Sequence, residues 1–139
     1  MGFYSLMMMR MALELAVENP VYQDLAAKFF EHFLRIAAAM NDRGGHGHSL
    51  WDSQDQFFYD TLHLPDGTTF PLRVRSLVGL MPLIAIITIE DNLRESMPVF
   101  ARRAEWFMRN RPELARDFIG MEHDGVENRY AMALVTKER

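Results

Sequence analysis

The 139-residue chain is 49% hydrophobic and 24% charged, which is typical of one globular domain or of a piece of a larger one. Its net charge of −4 provides no broad basic field, so nucleic acid is not an expected partner. The lack of cysteine excludes a disulfide scaffold, a thiolate nucleophile and a zinc–thiolate cluster, and a cytoplasmic location is therefore expected.

The first segment, MGFYSLMMMRMALELAV, predicts a buried helix that ends near Pro20. Arg10 and Glu14 interrupt the apolar run, no basic region precedes it and no small-residue cleavage pattern follows it. Neither a signal peptide nor a membrane span is therefore expected. A helix that is apolar nearly all round should have neighbours on several sides. The consecutive methionines Met7 to Met9 point in different directions and are expected to fill the core rather than bind a metal.

Residues 21–40 predict a second helix, which should form an antiparallel hairpin with the first across a short Asn-Pro turn. The predicted inner face consists of apolar residues at spacings of three and four: Leu25, Phe29, Phe33, Ile36 and Met40. The predicted wet face consists of Gln23, Lys28, Glu31 and Arg35.

The composition predicts a loop over residues 41–48, because three glycines in four positions lower the helical propensity. His46 and His48 in this loop are a weak metal pattern, since no third ligand accompanies them, and His123 has the same weakness. No metal and no other cofactor is therefore expected.

Strand-like alternation begins at Phe57 and leads through a turn at residues 65–67, Pro-Asp-Gly, into the segment TTFPLRV. This pattern predicts a β-hairpin. Pro71 cannot donate a backbone hydrogen bond, so its strand is expected at an edge.

Ser76 is a suitable N-cap for a third, highly apolar helix over residues 77–89. A strand is the rival interpretation, because the segment is rich in β-branched residues: Ile84, Ile86, Ile87, Thr88 and Ile89.

An amphipathic helix follows at about residues 97–110, with Phe100, Ala104 and Phe107 facing inward and Trp106 expected to pack. A short helical turn is expected at residues 112–114, and the chain from residue 121 onward has no clear period.

The elements alternate as a helix pair, a loop with a β-hairpin and a second helix pair, so the expected fold class is mainly α. This alternation is that of a helical toroid or solenoid, although no residue-level repeat is present. The first and third helices are too apolar for a free-standing pair, and further protein around them is expected.

The most informative stretch is residues 50–76, LWDSQDQFFYDTLHLPDGTTFPLRVRS. It interleaves acids with aromatic rings, a mixture typical of carbohydrate sites, because flat rings cover sugar faces while carboxylates accept hydrogen bonds from hydroxyls. The candidate substrate-binding residues are Trp51, Asp52, Tyr59, Asp60 and Arg73.

Each candidate also has a structural interpretation. Trp51 is either a sugar platform or an anchor where the loop meets the helices. Arg73 and Arg75 lie on the same strand face, where pairing with Asp52 or Asp60 would give a salt-bridged hairpin, which we favour over direct ligand contact. Asp52 and Asp60 are disfavoured as a catalytic pair, because residues eight apart on one hairpin arm are expected to lie too far apart for an inverting glycosidase.

In combination, the motifs WDSQDQFFYD, LPDG and PLRVRS, with the helical segments YQDLAAKFFEHFLRIAAAMN and FARRAEWFMRNRPELA around them, carry a family resemblance. The chain resembles bacterial glucosidase-like proteins related to glycoside hydrolase family 63 and mannosylglycerate hydrolase, from residue 1 to about residue 115. Members of that family usually read like WDEEDGFFYD where this chain has Ser53, Gln54 and Gln56, and they commonly carry Asn where Met7 stands.

The resemblance implies antiparallel helix pairs from an (α/α)6 toroid with one β-hairpin insertion, arranged around a sugar cavity. It implies that residues 1–139 are a single partial domain, with the hairpin and active-site loop region at 42–76, because such proteins are several times longer. In similar proteins the general acid lies upstream and the general base downstream of this region, so no catalytic residue is expected here.

The expected function is thus a segment of an inverting α-glucosidase-like or mannosylglycerate-hydrolase-like enzyme. It would contact a glucoside or mannosyl-type carbohydrate without catalysing hydrolysis alone. The alternative is a stand-alone helical module that forms a homo-oligomer, or binds a partner, through exposed apolar helix faces.

Overall fold

The structure, a computed structural model, describes residues 1–41, 49–90, 92–115 and 129–135. More than half of these residues are helical, and the others include three two-stranded antiparallel sheets. The fold is therefore mainly α, as expected.

The first two helices, α1 (Gly2–Ala16) and α2 (Tyr22–Asn41), form the predicted antiparallel hairpin. Their connection turns at Pro20, and Gly2 at the start of α1 lies beside Ile36 near the end of α2. This pair provides most of the core. Its core apolar residues on α1 are Leu6, Met9, Ala12 and Ala16, and those on α2 are Ala26, Ala27, Phe30, Phe33, Leu34 and Ala37.

The predicted inner face of α2 is confirmed for four of its five residues. Phe33 is fully buried, and Phe29, Ile36 and Met40 are half-buried and pack against the core, whereas Leu25 is 38% exposed. The small side chains on the adjacent face allow α1 to approach closely, so the alanine-containing face turns to the core. Gln23, predicted on the wet face, is 4% exposed.

The helix α1 is covered along one side by the described residues. Its other side carries the exposed apolar residues Phe3, Tyr4, Met11 and Leu15. The expectation of neighbours on several sides is thus met in part, because α1 packs mainly against α2 and also contacts residues 77–84 and 86–90, while this outer side stays open.

The segment after residue 48 contains two small sheets. The strands β1 (Trp51–Asp52) and β2 (Phe57–Phe58) pair with each other, as do β3 (Asp60–His63) and β4 (Thr69–Leu72). The predicted turn at residues 65–67 joins β3 to β4, and Pro71 lies in an edge strand, as predicted. The single strand expected from Phe57 is instead divided into two at Tyr59.

The helix predicted over residues 77–89 is partly wrong. A 3-10 helix covers Leu77–Ile84, and β5 (Ile86–Glu90) follows it. The strand pairs antiparallel with β6 (Arg129–Ala133), in the region where no period was found in the sequence. The β-branched run favours the extended backbone, and Ile87 and Ile89 alternate into the core beside Met132.

The second helical region comprises α3 (Leu93–Ser96), α4 (Pro98–Asn110) and α5 (Pro112–Ala115). As predicted, Phe100, Ala104 and Phe107 are buried, and the Phe100 ring packs edge-on against Phe30 of α2 with a centroid distance of 5.9 Å. The packing predicted for Trp106 is wrong, because its side chain is 59% exposed.

The 3-10 helix carries a dense patch of exposed apolar side chains. Each is between 45% and 73% exposed: Leu77, Val78, Leu80, Met81, Leu83 and Ile84. Among the described helices, none has the length and apolarity required to cross a bilayer.

Candidate functional site

The hairpin site is attached to the end of the second helix. The Leu50 amide donates to the Met40 carbonyl in the last turn of α2 at 3.0 Å, and the Tyr59 amide donates to the Leu50 carbonyl at 2.8 Å. The Ser49 hydroxyl bridges the same junction, since it accepts from the Trp51 amide and donates to the Met40 carbonyl. The strands β1 and β2 therefore have a fixed position relative to the helix pair.

Aromatic packing holds the two short strands against the 3-10 helix. The rings of Trp51 and Phe58 lie edge to face with their centroids 4.9 Å apart, and those of Phe57 and Tyr59 are 5.2 Å apart. Gly79 of the 3-10 helix is so close that an added Cβ would overlap the Phe57 ring. The close approach requires glycine there, and it buries the inner side of β2.

Asp52 organises the turn between β1 and β2. Its Oδ1 accepts hydrogen bonds from the amides of Asp55 at 2.9 Å and Gln54 at 3.0 Å, and its Oδ2 accepts from Arg73 Nη2 at 3.0 Å. These contacts, the Asp55 amide above all, lower the pKa of Asp52 despite an opposing contribution from desolvation. Asp52 is therefore an ionised residue that shapes the turn, and its predicted pairing with Arg73 is present.

Tyr59 lies at the centre of a second network. Its side chain is 4% exposed; its hydroxyl donates to Asp55 Oδ2 at 2.9 Å and accepts from Arg75 Nε at 3.3 Å. Arg75 Nη2 also lies 3.5 Å from Asp55 Oδ1, which closes a three-membered ring of contacts. The hydrogen bond with the Tyr59 hydroxyl is the main cause that raises the pKa of Arg75 above its usual value. Arg75 was predicted to pair with Asp52 or Asp60, and its acidic partner is instead Asp55.

The remaining two candidates differ in their surroundings. Trp51 is half-buried against Phe58, as an anchor of the loop would be, and leaves part of its surface open to a ligand. Asp60 begins β3 and is exposed, and no ion pair in the described part of the chain includes it.

Tyr59 and Asp60 share a cavity of about 530 Å³. Its other walls come from the start of α1, the end of α2 and the 3-10 helix, and they are mostly apolar: Phe3, Tyr4, Ile36, Met40, Leu50, Val78, Met81 and Ile84. Trp51, Asp52 and Arg73 do not line this cavity. The five predicted residues thus fall into two groups, with Asp52 and Arg73 forming an ion pair outside the cavity.

Asp52 does not have the properties of the acid in a pair for inverting hydrolysis. Such a pair requires a protonated acid and a base about 6.5–9.5 Å apart, on opposite sides of the sugar. Asp52 has a lowered pKa and both of its oxygens accept hydrogen bonds, so it is unsuited to donate a proton. Asp60 belongs to a different sheet. The hairpin can offer aromatic surface, hydrogen bonds and a partly exposed guanidinium.

Within the described residues, no group of three or more histidine and carboxylate side chains could hold a metal ion. The candidate histidines His46, His48 and His123 lie outside those residues.

Sequence reasoning missed two residues of the turn. Asp55 carries the second network, and Gln56 adopts a φ of 49°, the left-handed region that favours glycine. The sequence contained a signal for Gln56, because Gln56 stands where the pattern of the resembled family reads Gly.

Comparison with known proteins adds a relative of unknown role. No family model matches the chain, and no solved structure matches it. The chain matches a yeast protein. It is 43% identical over 151 aligned residues to the uncharacterized protein YMR196W of Saccharomyces cerevisiae. The alignment covers 100% of this chain and 14% of the yeast protein, so the chain spans about a seventh of that relative's length.

Proposed function

We propose that the chain is a segment of a glycoside hydrolase related to family 63 and mannosylglycerate hydrolase. It forms part of the wall of a sugar cavity in an (α/α)6 toroid and contributes contacts to a glucoside or mannosyl-type substrate. The general acid and base come from other parts of the full protein.

The observation that carries this proposal is the fixed geometry of the acidic and aromatic hairpin at the end of α2. Asp52 pairs with Arg73 and Asp55 with Arg75, and both arginine side chains are more than half exposed. A charged donor that is already oriented loses less entropy when it binds a sugar hydroxyl. Trp51, which precedes Asp52 in β1, adds a partly open ring to the hairpin.

The exposed apolar surfaces support a toroid. In a ring of helix pairs each pair packs against the next, so the open sides of α1 and of the 3-10 helix would be covered by neighbouring helices. The yeast relative is consistent with this arrangement, because its matching region lies within a much longer chain.

A chimera would test the proposal in a long protein. This chain would replace the matching region of the yeast relative, and hydrolysis of α-glucosides, α-mannosides and mannosylglycerate would be measured. In this chimera, Arg73→Met should raise KM about tenfold, the change expected when one hydrogen bond from a charged donor is lost.

Arg35→Met is the matched control. Arg35 is as exposed as Arg73 and makes a comparable ion pair, with Glu31 at 2.7 Å, but it lies on α2 outside the hairpin. Equal kinetics for both variants would show that Arg73 does not contact substrate.

The dense apolar patch on the 3-10 helix favours a second candidate, self-association of a helical module. Exposed apolar patches on this scale mark contact surfaces more often than free surface. In this case Leu77→Asp should dissociate an oligomer of the 139-residue chain. The control variant Val17→Asp should not dissociate the oligomer. Val17 is as exposed as Leu77, at 74% against 73%, but it lies outside the 3-10 helix. Sedimentation of the two variants over a range of concentrations separates the candidates, because a monomeric parent chain would exclude self-association.

A further inference from the structure

A groove of about 820 Å³ lies between α2 and α4, away from the hairpin site. Its floor is apolar and consists of Ala27, Phe30 and Phe107, all buried. Trp106 stands at its edge with 59% of its surface exposed, and Leu25 lies across from it on α2. The hairpin network uses none of these residues.

The same groove carries four charged side chains, two of each sign: Asp24, Lys28, Glu31 and Arg103. Asp24 Oδ1 and Arg103 Nη2 are 3.2 Å apart and join α2 to α4, while both side chains remain more than half exposed. Glu31 pairs with Arg35 along α2. The formal charges of these four side chains therefore sum to zero. The groove presents hydrogen-bond donors and acceptors around the flat ring of Trp106.

This chemistry suits a neutral polyhydroxylated ligand. A sugar ring has an apolar face that can stack on an indole, and its hydroxyls can both accept from ammonium and guanidinium groups and donate to carboxylates. An apolar helix in the same groove would cover the charged groups without replacing their hydrogen bonds to water, which is unfavourable. An ionic ligand would be attracted by two of the four charged side chains and repelled by the other two, so the groove does not favour it.

We propose that the α2–α4 groove binds a neutral oligosaccharide, with the Trp106 ring as the stacking surface and Asp24, Lys28 and Arg103 as hydrogen-bonding partners. This site is separate from the hairpin. It does not depend on the chain being part of a hydrolase.

The two tryptophans of the chain allow a direct test. The 139-residue protein, labelled with nitrogen-15, would be titrated with maltoheptaose, with α-linked mannotriose and with cellohexaose, and the two indole N–H signals would be followed. Trp51 reports on the hairpin and Trp106 on the groove. Groove binding should shift the Trp106 signal, with millimolar affinity, and should not require the Trp51 signal to move.

Variants complete the test. Trp106→Ala should weaken binding about tenfold, as expected when one aromatic stacking contact is lost, and Trp51→Phe should leave it unchanged. Lys28→Met should also weaken binding, while the equally surface-placed Arg102→Met, outside the groove, should not.

A Trp106 signal unaffected by all three sugars would overturn the proposal. So would a Trp106 signal that shifts with protein concentration alone, since it would identify the groove as a contact between two copies of the chain. Movement of the Trp51 signal alone would support the hairpin site and contradict the groove site, so the two proposals can fail independently.

Discussion

Gln56 shows how one backbone angle determines the hairpin turn. Its φ of 49° places a residue with a Cβ in the left-handed region, which costs about 1–2 kcal/mol relative to a right-handed residue. A glycine avoids this cost, although its greater freedom in the unfolded chain returns about 0.5–1 kcal/mol.

We therefore expect Gln56→Gly to leave the free energy of unfolding unchanged or to raise it by up to about 1 kcal/mol. Gln56→Val should lower it by about 1–2 kcal/mol, because a β-branched side chain tolerates this region poorly. Urea denaturation measures both. Gln54→Val, in the same turn and without a positive φ, is the control; equal losses at the two positions would contradict the assignment of strain to Gln56.

Asp52 should make the stability of the hairpin depend on pH in a defined direction. Its pKa is lowered in the folded chain from the usual value of 3.8, so the charged carboxylate stabilises the fold above the unfolded-state pKa. This contribution is lost as the pH falls through the folded-state pKa.

The stability difference between the parent chain and Asp52→Asn should therefore be the same at about pH 7 and about pH 5, and should shrink towards pH 3. Chemical denaturation at these three values measures it, with Asp60→Asn as a control outside the turn. A difference that grows on acidification would contradict the role given to Asp52.

At this scale the sequence predicts some contacts and not others. The pair Asp52 and Arg73 was among the pairings expected from the two-residue spacing of Arg73 and Arg75, and it is present. The pairing of Arg75 with Asp55 could not, since it depends on how sharply the turn bends after Asp52 accepts its two amide hydrogen bonds.

Among the elements, α4 begins at a cap supplied by a distant helix. Gln23 of α2 is buried, and its Oε1 accepts from the amides of Val99 at 2.9 Å and Phe100 at 3.2 Å. These are amides of the first turn of α4, which have no partner within the helix.

Gln23→Met keeps a similar volume and removes the acceptor, so it should lower the free energy of unfolding by about 1–3 kcal/mol. Hydrogen exchange at the Val99 and Phe100 amides should accelerate as well. Lys28→Met, on the exposed side of the same helix, should change stability by less than about 0.5 kcal/mol. Unchanged exchange at both amides in Gln23→Met would contradict the capping role.

The contact between the 3-10 helix and β2 gives a second test of element packing. Gly79→Ala should destabilise the chain by about 1–3 kcal/mol, because its Cβ would overlap the Phe57 ring and the Phe58 carbonyl oxygen. Val78→Ala, at an exposed neighbour, is the control for the same helix. Thermal unfolding compares the two, and similar midpoints would show that the sheet can move away from the 3-10 helix without cost.

Local patterns predicted α1, α2, α4 and the β3–β4 turn, because periodicity, Pro and Gly act within a few residues. They failed at β5, whose partner β6 lies about forty residues later in the chain. The strand β5 is stabilised by hydrogen bonds to a partner that is distant in sequence. A local pattern does not reveal that partner, so a helix was predicted over residues 77–89 instead. The buried face of α2 was predicted only in part for a similar reason, since packing against its partner helix also buries small side chains such as Ala26 and Ala37.

At the scale of the whole molecule, the mainly α class follows from the sequence, while the toroid remains a prediction. The described residues bury a core between α1, α2, α4 and the β5–β6 sheet and leave the outer apolar surfaces of α1 and of the 3-10 helix open. The proposed role in a longer hydrolase accounts for both the fixed hairpin and these open surfaces.

The most direct test of this role compares the hydrolysis of α-glucosides, α-mannosides and mannosylglycerate by the 139-residue chain, by the yeast relative and by the chimera of the two. We expect both long proteins to hydrolyse at least one of these substrates and the short chain to hydrolyse none. Hydrolysis by the short chain would place a catalytic pair within it, and a lack of hydrolysis by all three proteins would contradict the glycosidase assignment.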